Sequence, residues 1–313
     1  MSLPYLQFYL GLSNGLNTIH AAGAGAGPFR GLIGGGTGPS NVIDYITVDT
    51  TGNATDFGDL TVARYVHGAV NDATRGVWGG GSNGSSNENT MDYVTIATTG
   101  NATDFGDLTV ARSGMGQGVN SDTRGVFGGG HSGSYDNTMD YITIATTGNA
   151  TDFGNMIRGK QGYSGCNSDT RGLFGGGITI GDSYLREIDY ITIATTGNAL
   201  DFGDLSTTIR YYPAAADDTS TRGVWAGGES PANTNTNVID YVTIATTGNA
   251  TDFGDLTQAR TSMGAVNSDT RACFGSGSNY NIIDYITVAT TGNATDFGDM
   301  TVSRNHARGV EGS

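Results

Sequence analysis

The most regular pattern in the chain is an alternation of polar and apolar side chains. In Asp140-Tyr141-Ile142-Thr143-Ile144-Ala145, Tyr141 and Thr143 fall on one side of an extended chain and Ile142 and Ile144 on the other. That period of two predicts a β-strand over 139–145. Upstream, a short apolar run closed by glycines predicts a strand over 125–129, where missing side chains permit close backbone approach. Small residues predict another strand over 113–120, and a short fourth strand follows over 151–153. The connecting Asn120-Ser121-Asp122-Thr123 and Thr147-Gly148-Asn149-Ala150 are turn chemistry, because Gly and Asn accept positive φ while Asp and Ser close local hydrogen bonds. No stretch has a helical period. The class is all-β.

This four-strand unit repeats. Asp-Tyr recurs at Tyr45, Tyr93, Tyr141, Tyr190, Tyr241 and Tyr285, at spacings of 48, 48, 49, 51 and 44 residues. Twelve of the 15 basic residues fall at two repeated positions: Arg30, Arg75, Arg124, Arg171, Arg222 and Arg271, then Arg64, Arg112, Arg158, Arg210, Arg260 and Arg304. Basic charge is therefore read as structural punctuation. A four-stranded sheet that is apolar on both faces must stack against neighbours, and six such sheets close into a β-propeller. Glycine-rich strands suit its crowded centre, and Phe57, Phe105, Phe153, Phe202, Phe253 and Phe297 suit the wider rim. An open solenoid is the alternative, but its end repeats should differ from the middle ones. Either the segment from Ser303 to Val310 or that from Ile19 to Gly25 completes the first blade, and the former is preferred. That leaves 1–28 as an N-terminal arm, or as the first inner strand on the other reading, and 29–313 as the propeller.

Composition refines the picture. With 52 Gly and 5 Pro but 15 Tyr and 11 Phe, the chain is neither collagen-like nor disordered. A net charge of −15 excludes the basic footprint that nucleic acid requires and disfavours an anionic membrane surface. Cys166 stands where Val119 and Val266 stand, and Cys273 where Val77 and Val126 stand, so both are expected to be buried free thiols. Met1 to Leu12 is apolar without a basic leader and is too short to span a bilayer, so neither a signal peptide nor membrane insertion is expected.

The order of basic residue, apolar run with Gly-Gly, Tyr, aromatic, Leu and Arg across about 29–304 resembles the kelch motif, which builds β-propellers. It departs in having Phe where kelch repeats usually have Trp. The segment Asp-Tyr-Ile-Thr-Ile-Ala-Thr-Thr-Gly-Asn-Ala-Thr-Asp-Phe-Gly-Asp-Leu is similar to kelch-like repeats in virion-associated proteins of tailed marine phages. That resemblance implies a structural or appendage protein of the virion, assembled in the host cytoplasm and oligomeric in the particle. Its propeller would decorate the particle or bind a host glycan or protein. A cellular kelch-type interaction adaptor and a propeller carbohydrate-active enzyme are the alternatives.

In an antiparallel meander the loops between second and third strands share one face with the loops between blades. The former run 7, 10, 9, 11, 11 and 6 residues from the Gly run to the Asp and differ in every blade. They carry the candidate ligand-binding residues Asn83, Asn87, Glu88, His131, Tyr135, Asp136, Tyr184, Arg186, Glu187, Glu229, Asn233, Asn235 and Tyr280. A constant scaffold with one varied rim is how loop-based binding surfaces are made, though unconstrained drift would give the same variation. Tyr5, Leu6, Phe8, Tyr9 and Leu10 form a candidate anchoring arm for another virion protein, or they tuck against the propeller. Gly80-Gly81-Ser82-Asn83-Gly84 matches a nucleophile-elbow pattern, but no helix follows it. The four histidines lack metal-ligand spacing. No catalytic, cofactor or metal residue is assigned, and the chain is read as a non-enzyme.

Overall fold

Each repeat folds as one antiparallel sheet of four strands, and six of these sheets form a β-propeller without a helix among the described residues. The computed structural model describes residues 28–312 apart from 182, 207–209 and 219–220. Tyr5, Leu6, Phe8, Tyr9 and Leu10 lie outside the described residues. In the third blade the strands are Val119–Asn120, Arg124–Gly128, Thr138–Thr143 and Thr151–Asn155, from axis to rim. The innermost strand is shorter than the pattern predicts. Ser113 and Gly114 belong instead to a turn, and Gly114 has φ +69°. The long loops of the fourth and fifth blades carry small β-ribbons, Ile178–Thr179 with Ser183–Tyr184 and Glu229–Ser230 with Thr234–Asn235.

The C-terminus closes the ring. Arg308–Gly312 pairs antiparallel with Arg30–Gly34 and takes the innermost place in the first blade. Both cysteines are buried and free, opposite Leu173 and Val266 as the repeat alignment required.

The core lies between blades. Leu32, Ile43 and Phe57 of the first blade pack with Ala69, Trp78 and Val94 of the second, all at most 4% exposed. Each rim Phe meets the Tyr of its own blade edge-on, at centroid distances of 5.9–6.2 Å. Near the axis, a second-strand glycine receives the inner-strand side chain of the preceding blade. A Cβ on Gly125 would stand 2.5 Å from a Val70 methyl, and one on Gly172 would stand 2.4 Å from Val119. In the sixth blade this glycine is Ala272, and the facing residue in the same core cluster shrinks to Ala216.

Polar stitches complete each interface. The turn before strand four docks on the preceding blade: Asp59 N–H donates to Asn101 Oδ1 (3.1 Å), and Gly100 N–H donates to the Phe57 carbonyl (2.9 Å). Arg75 stacks on Tyr93 of its own blade at 4.3 Å and donates to the Ile144 carbonyl of the next blade (3.0 Å). The other basic position forms a closed set of buried ion pairs with the repeated Asp of the following blade. The pairs are Arg64–Asp92, Arg112–Asp140 (2.9 Å), Lys160–Asp189 (3.3 Å), Arg210–Asp240 (2.7 Å), Arg260–Asp284 (2.7 Å) and Arg304–Asp44 (2.6 Å). One sequence assignment is corrected here. The third blade uses Lys160, not Arg158, whose half-exposed side chain pairs with Glu187 at 2.9 Å. Spacing from Phe153 fixes the geometry: in five blades, the third included, the interface cation lies seven positions after the rim Phe whatever its basic type, and in the fourth blade Arg210 lies eight after Phe202.

Candidate functional site

The turns that follow these buried cations converge on the propeller axis. Their second residues, Val66, Gly114, Gly162, Tyr212, Ser262 and His306, all have φ between +50° and +69°. Four are not glycine, and a β-branched valine there is a real departure from backbone preference. Backbone bonds hold the conformation from blade to blade. Met115 N–H donates to Val66 O (3.1 Å), Gly162 to Gly114 O (2.8 Å), Tyr212 to Gly162 O (2.6 Å), Ser262 to Tyr212 O (3.0 Å) and His306 to Ser262 O (2.8 Å).

These turns surround an open funnel of about 530 Å³. Aromatic faces come from Tyr65, Tyr211, Tyr212 and His306, and hydrogen-bonding groups from Gln161, Thr261 and Asn305. The rings form one cluster: Tyr211 and Tyr212 at 4.1 Å, and Tyr212 edge-on to His306 at 4.5 Å. Gln161 Nε2 donates to the Tyr211 hydroxyl (3.2 Å). The two ring nitrogens of His306 bridge the hydroxyls of Thr37 (2.9 Å) and Ser262 (3.0 Å). Burial, then the Arg308 charge, pulls the His306 pKa down to about 3, so this imidazole is neutral at physiological pH. Burial first and neighbouring Tyr212 second push the Tyr211 phenol far up, so it remains a hydrogen-bond donor. Behind Tyr212 lies Arg308, buried, with its guanidinium on the carbonyls of Ala307 (2.9 Å) and Met115 (3.0 Å) and 5.9 Å from the Tyr212 ring.

The loop residues singled out by sequence fall into three groups. Tyr184, Glu229 and Asn233 come together beside the funnel: the Tyr184 hydroxyl donates to Glu229 (3.3 Å) and Asn233 (3.5 Å), and its ring meets Tyr211 at 6.0 Å. Glu229 lines the funnel itself. A second group ties loops to the next blade: Asn87 donates to the His131 carbonyl (2.9 Å) and Asn235 to Ser278 (3.0 Å), while His131 packs on Tyr135 at 5.8 Å. The remainder are engaged locally or lie apart. Asn83 donates to Glu88 (2.5 Å), Asp136 accepts from Ser132 (3.1 Å) and Thr138 (2.9 Å), and exposed Arg186 faces Asp204 at 3.6 Å. Glu187 is held by Arg158 (2.9 Å), and Tyr280 is exposed at the loop tip of the sixth blade.

Sequence reasoning missed the inter-blade turns. Their signal was the position just after the constant cation, which reads Tyr65, Ser113, Gln161, Tyr211, Thr261 and Asn305, five residue types in six blades. Fold and site define a six-bladed β-propeller whose variable loops and inner turns meet at one axial opening. No protein-family model matches the chain, and no curated protein is similar to it.

Proposed function

We propose that this propeller is a non-catalytic recognition module whose axial funnel and variable loops bind a surface glycan. The observation that carries the reading is the funnel itself: clustered aromatic rings beside amide and hydroxyl groups, all projected from a ring of turns tied together by backbone hydrogen bonds. Sugars present apolar C–H faces and a fringe of hydroxyls, and a pocket with flat rings and a few oriented polar groups fits both. Partner binding on a phage particle, as an appendage or decoration, is the setting suggested by the likeness of the repeat to virion-associated proteins.

A glycan array with the purified protein tests the ligand, with Tyr65→Ala and Gln161→Ala as funnel variants. A funnel-bound sugar loses roughly tenfold or more in affinity on loss of an aromatic anchor. Shortening the 83–89 loop separates funnel from rim. Hits untouched by the funnel variants would sink the reading, and absence of the protein from purified particles by mass spectrometry would sink its virion setting.

A further inference from the structure

The interface between the third and fourth blades departs from the other five at three positions, and all three surround one buried ion pair. Its cation is Lys160, where the others have arginine. At the hydroxyl position it has Ile157, where the others have Thr61, Thr109, Ser206, Thr257 and Thr301. Two residues before the repeated Asp it has Glu187, where the others have Val42, Thr90, Thr138, Val238 and Ile282.

Each change alters what the pair can do. A guanidinium keeps its proton, whereas a buried lysine can release one and attack a carbonyl carbon. Lys160 Nζ stands 3.3 Å from Asp189 Oδ2 with both side chains fully buried, and it donates to the Phe174 carbonyl (3.2 Å). Asp189 Oδ2 also accepts from the Ile157 N–H (3.4 Å), but Oδ1 is buried without a partner. Its counterpart Asp140 Oδ1 takes the Thr109 hydroxyl at 2.5 Å. Hydrogen bonds to a carboxylate hold it ionised, and their loss favours the acid form with which amines condense. Glu187 adds a second carboxyl on the same strand face, since residues two apart point the same way. It reaches across this interface to Arg158 (2.9 Å). Burial first and the Asp189 charge second push the Glu187 carboxyl up, and the Lys160 charge pulls it back, so the three groups share one electrostatic neighbourhood.

We propose that Lys160 and Asp189 condense into an amide, a covalent cross-link between the third and fourth blades that the protein forms on itself. The Nζ–Cγ bond forms as one C–O bond of the Asp189 carboxyl breaks. The ammonium gives up two protons, which leave with that oxygen as water, so ion pair becomes amide plus water and nothing is oxidised or reduced. Glu187 is the carboxyl placed to relay a proton from nitrogen to the departing oxygen. Groups held in contact away from bulk water react with effective molarities of about 10⁵–10⁸ M, the advantage that free amines and acids in solution lack. The cross-link stands apart from the funnel and its ligand.

Mass spectrometry tests it. After incubation to constant mass, the intact wild-type chain should be one water lighter than its sequence. Trypsin cuts the denatured chain after Arg158, Arg171, Arg186 and Arg210, and it should release 159–171 joined to 187–210 with the chain uncut at Lys160. Fragmentation should place the branch at Lys160 and Asp189. Lys160→Arg, which installs the cation of the other five interfaces, should fold with an unchanged circular dichroism spectrum and keep its full mass. Glu187→Gln should fold and gain the bond roughly tenfold or more slowly in a time course after cell-free synthesis. A purely structural Glu187 would move the melting midpoint and leave that rate alone, which would overturn its role as relay. Wild type at full mass and cleaved at Lys160, or an equal loss of water in Lys160→Arg, overturns the cross-link.

Discussion

At the scale of single residues, the repeat makes its own controls, because five copies show what the sixth lacks. Thr61, Thr109, Ser206, Thr257 and Thr301 each place a hydroxyl on the buried Asp of the next blade, at 2.5 Å for Thr109 and 2.6 Å for Thr257. The third blade has Ile157 there, 40% exposed, and Asp189 Oδ1 is left buried without a partner. A buried acceptor left unmade costs about 1–3 kcal/mol. Ile157→Thr should therefore stabilise the protein by about 1 kcal/mol, read as a higher denaturant midpoint with unchanged slope. Gly58 shows the reverse constraint. Its φ is +147°, and a Cβ would stand 2.4 Å from the Gly100 carbonyl of the next blade. Backbone cannot yield as a side-chain tip can, so Gly58→Ala should cost about 3 kcal/mol or more. An unchanged midpoint would mean that the interface between the first two blades is looser than these distances require.

At the scale of elements, the cations after strand four pair with Asp in the blade that follows, so each ion pair reports on the contact between two sheets. Burial draws the Arg260 and Arg304 pKa values down while their Asp partners push back. Desolvation opposes such pairs, and their main effect is to fix which atoms meet. Asp140→Asn should cost about 3–5 kcal/mol by leaving Arg112 buried and uncompensated, whereas Arg112→Met with Asp140→Leu should recover much of the loss. A double-mutant cycle in chemical denaturation measures both. The role of these cations as structural punctuation was legible from recurrence alone, but their partner was not, since Arg64 and Asp92 stand 28 residues apart. The third blade misled because Arg158 matched by residue type while Lys160 matched by spacing. The funnel was hidden by the same focus on constant positions, since its residues lie one step beyond the repeated cation.

For the whole molecule, six near-identical sheets specify a ring so strongly that class, blade number and order of strands could be read before any coordinates. What recurrence could not supply was the content of the axis, where Arg308, Glu311 and Tyr212 each occur once. The axis also explains why closure is made by the last strand. Val310 fills the space over Gly76, Trp78 donates its indole N–H to the Arg308 carbonyl (3.1 Å), and Gly309 lies against the Ala265 carbonyl. One strand thus touches the first, second and sixth blades, and a propeller without it has two unsealed interfaces and an unpaired edge at its centre. Truncation after Arg304 should cost far more than the burial of one strand, because neighbouring blades lose their common support. We expect the truncated chain to lose its single cooperative transition and bind a hydrophobic dye. A sharp transition at the wild-type midpoint would show that the other five blades stand without closure, and that the ring is held by pairwise contacts rather than by its seam.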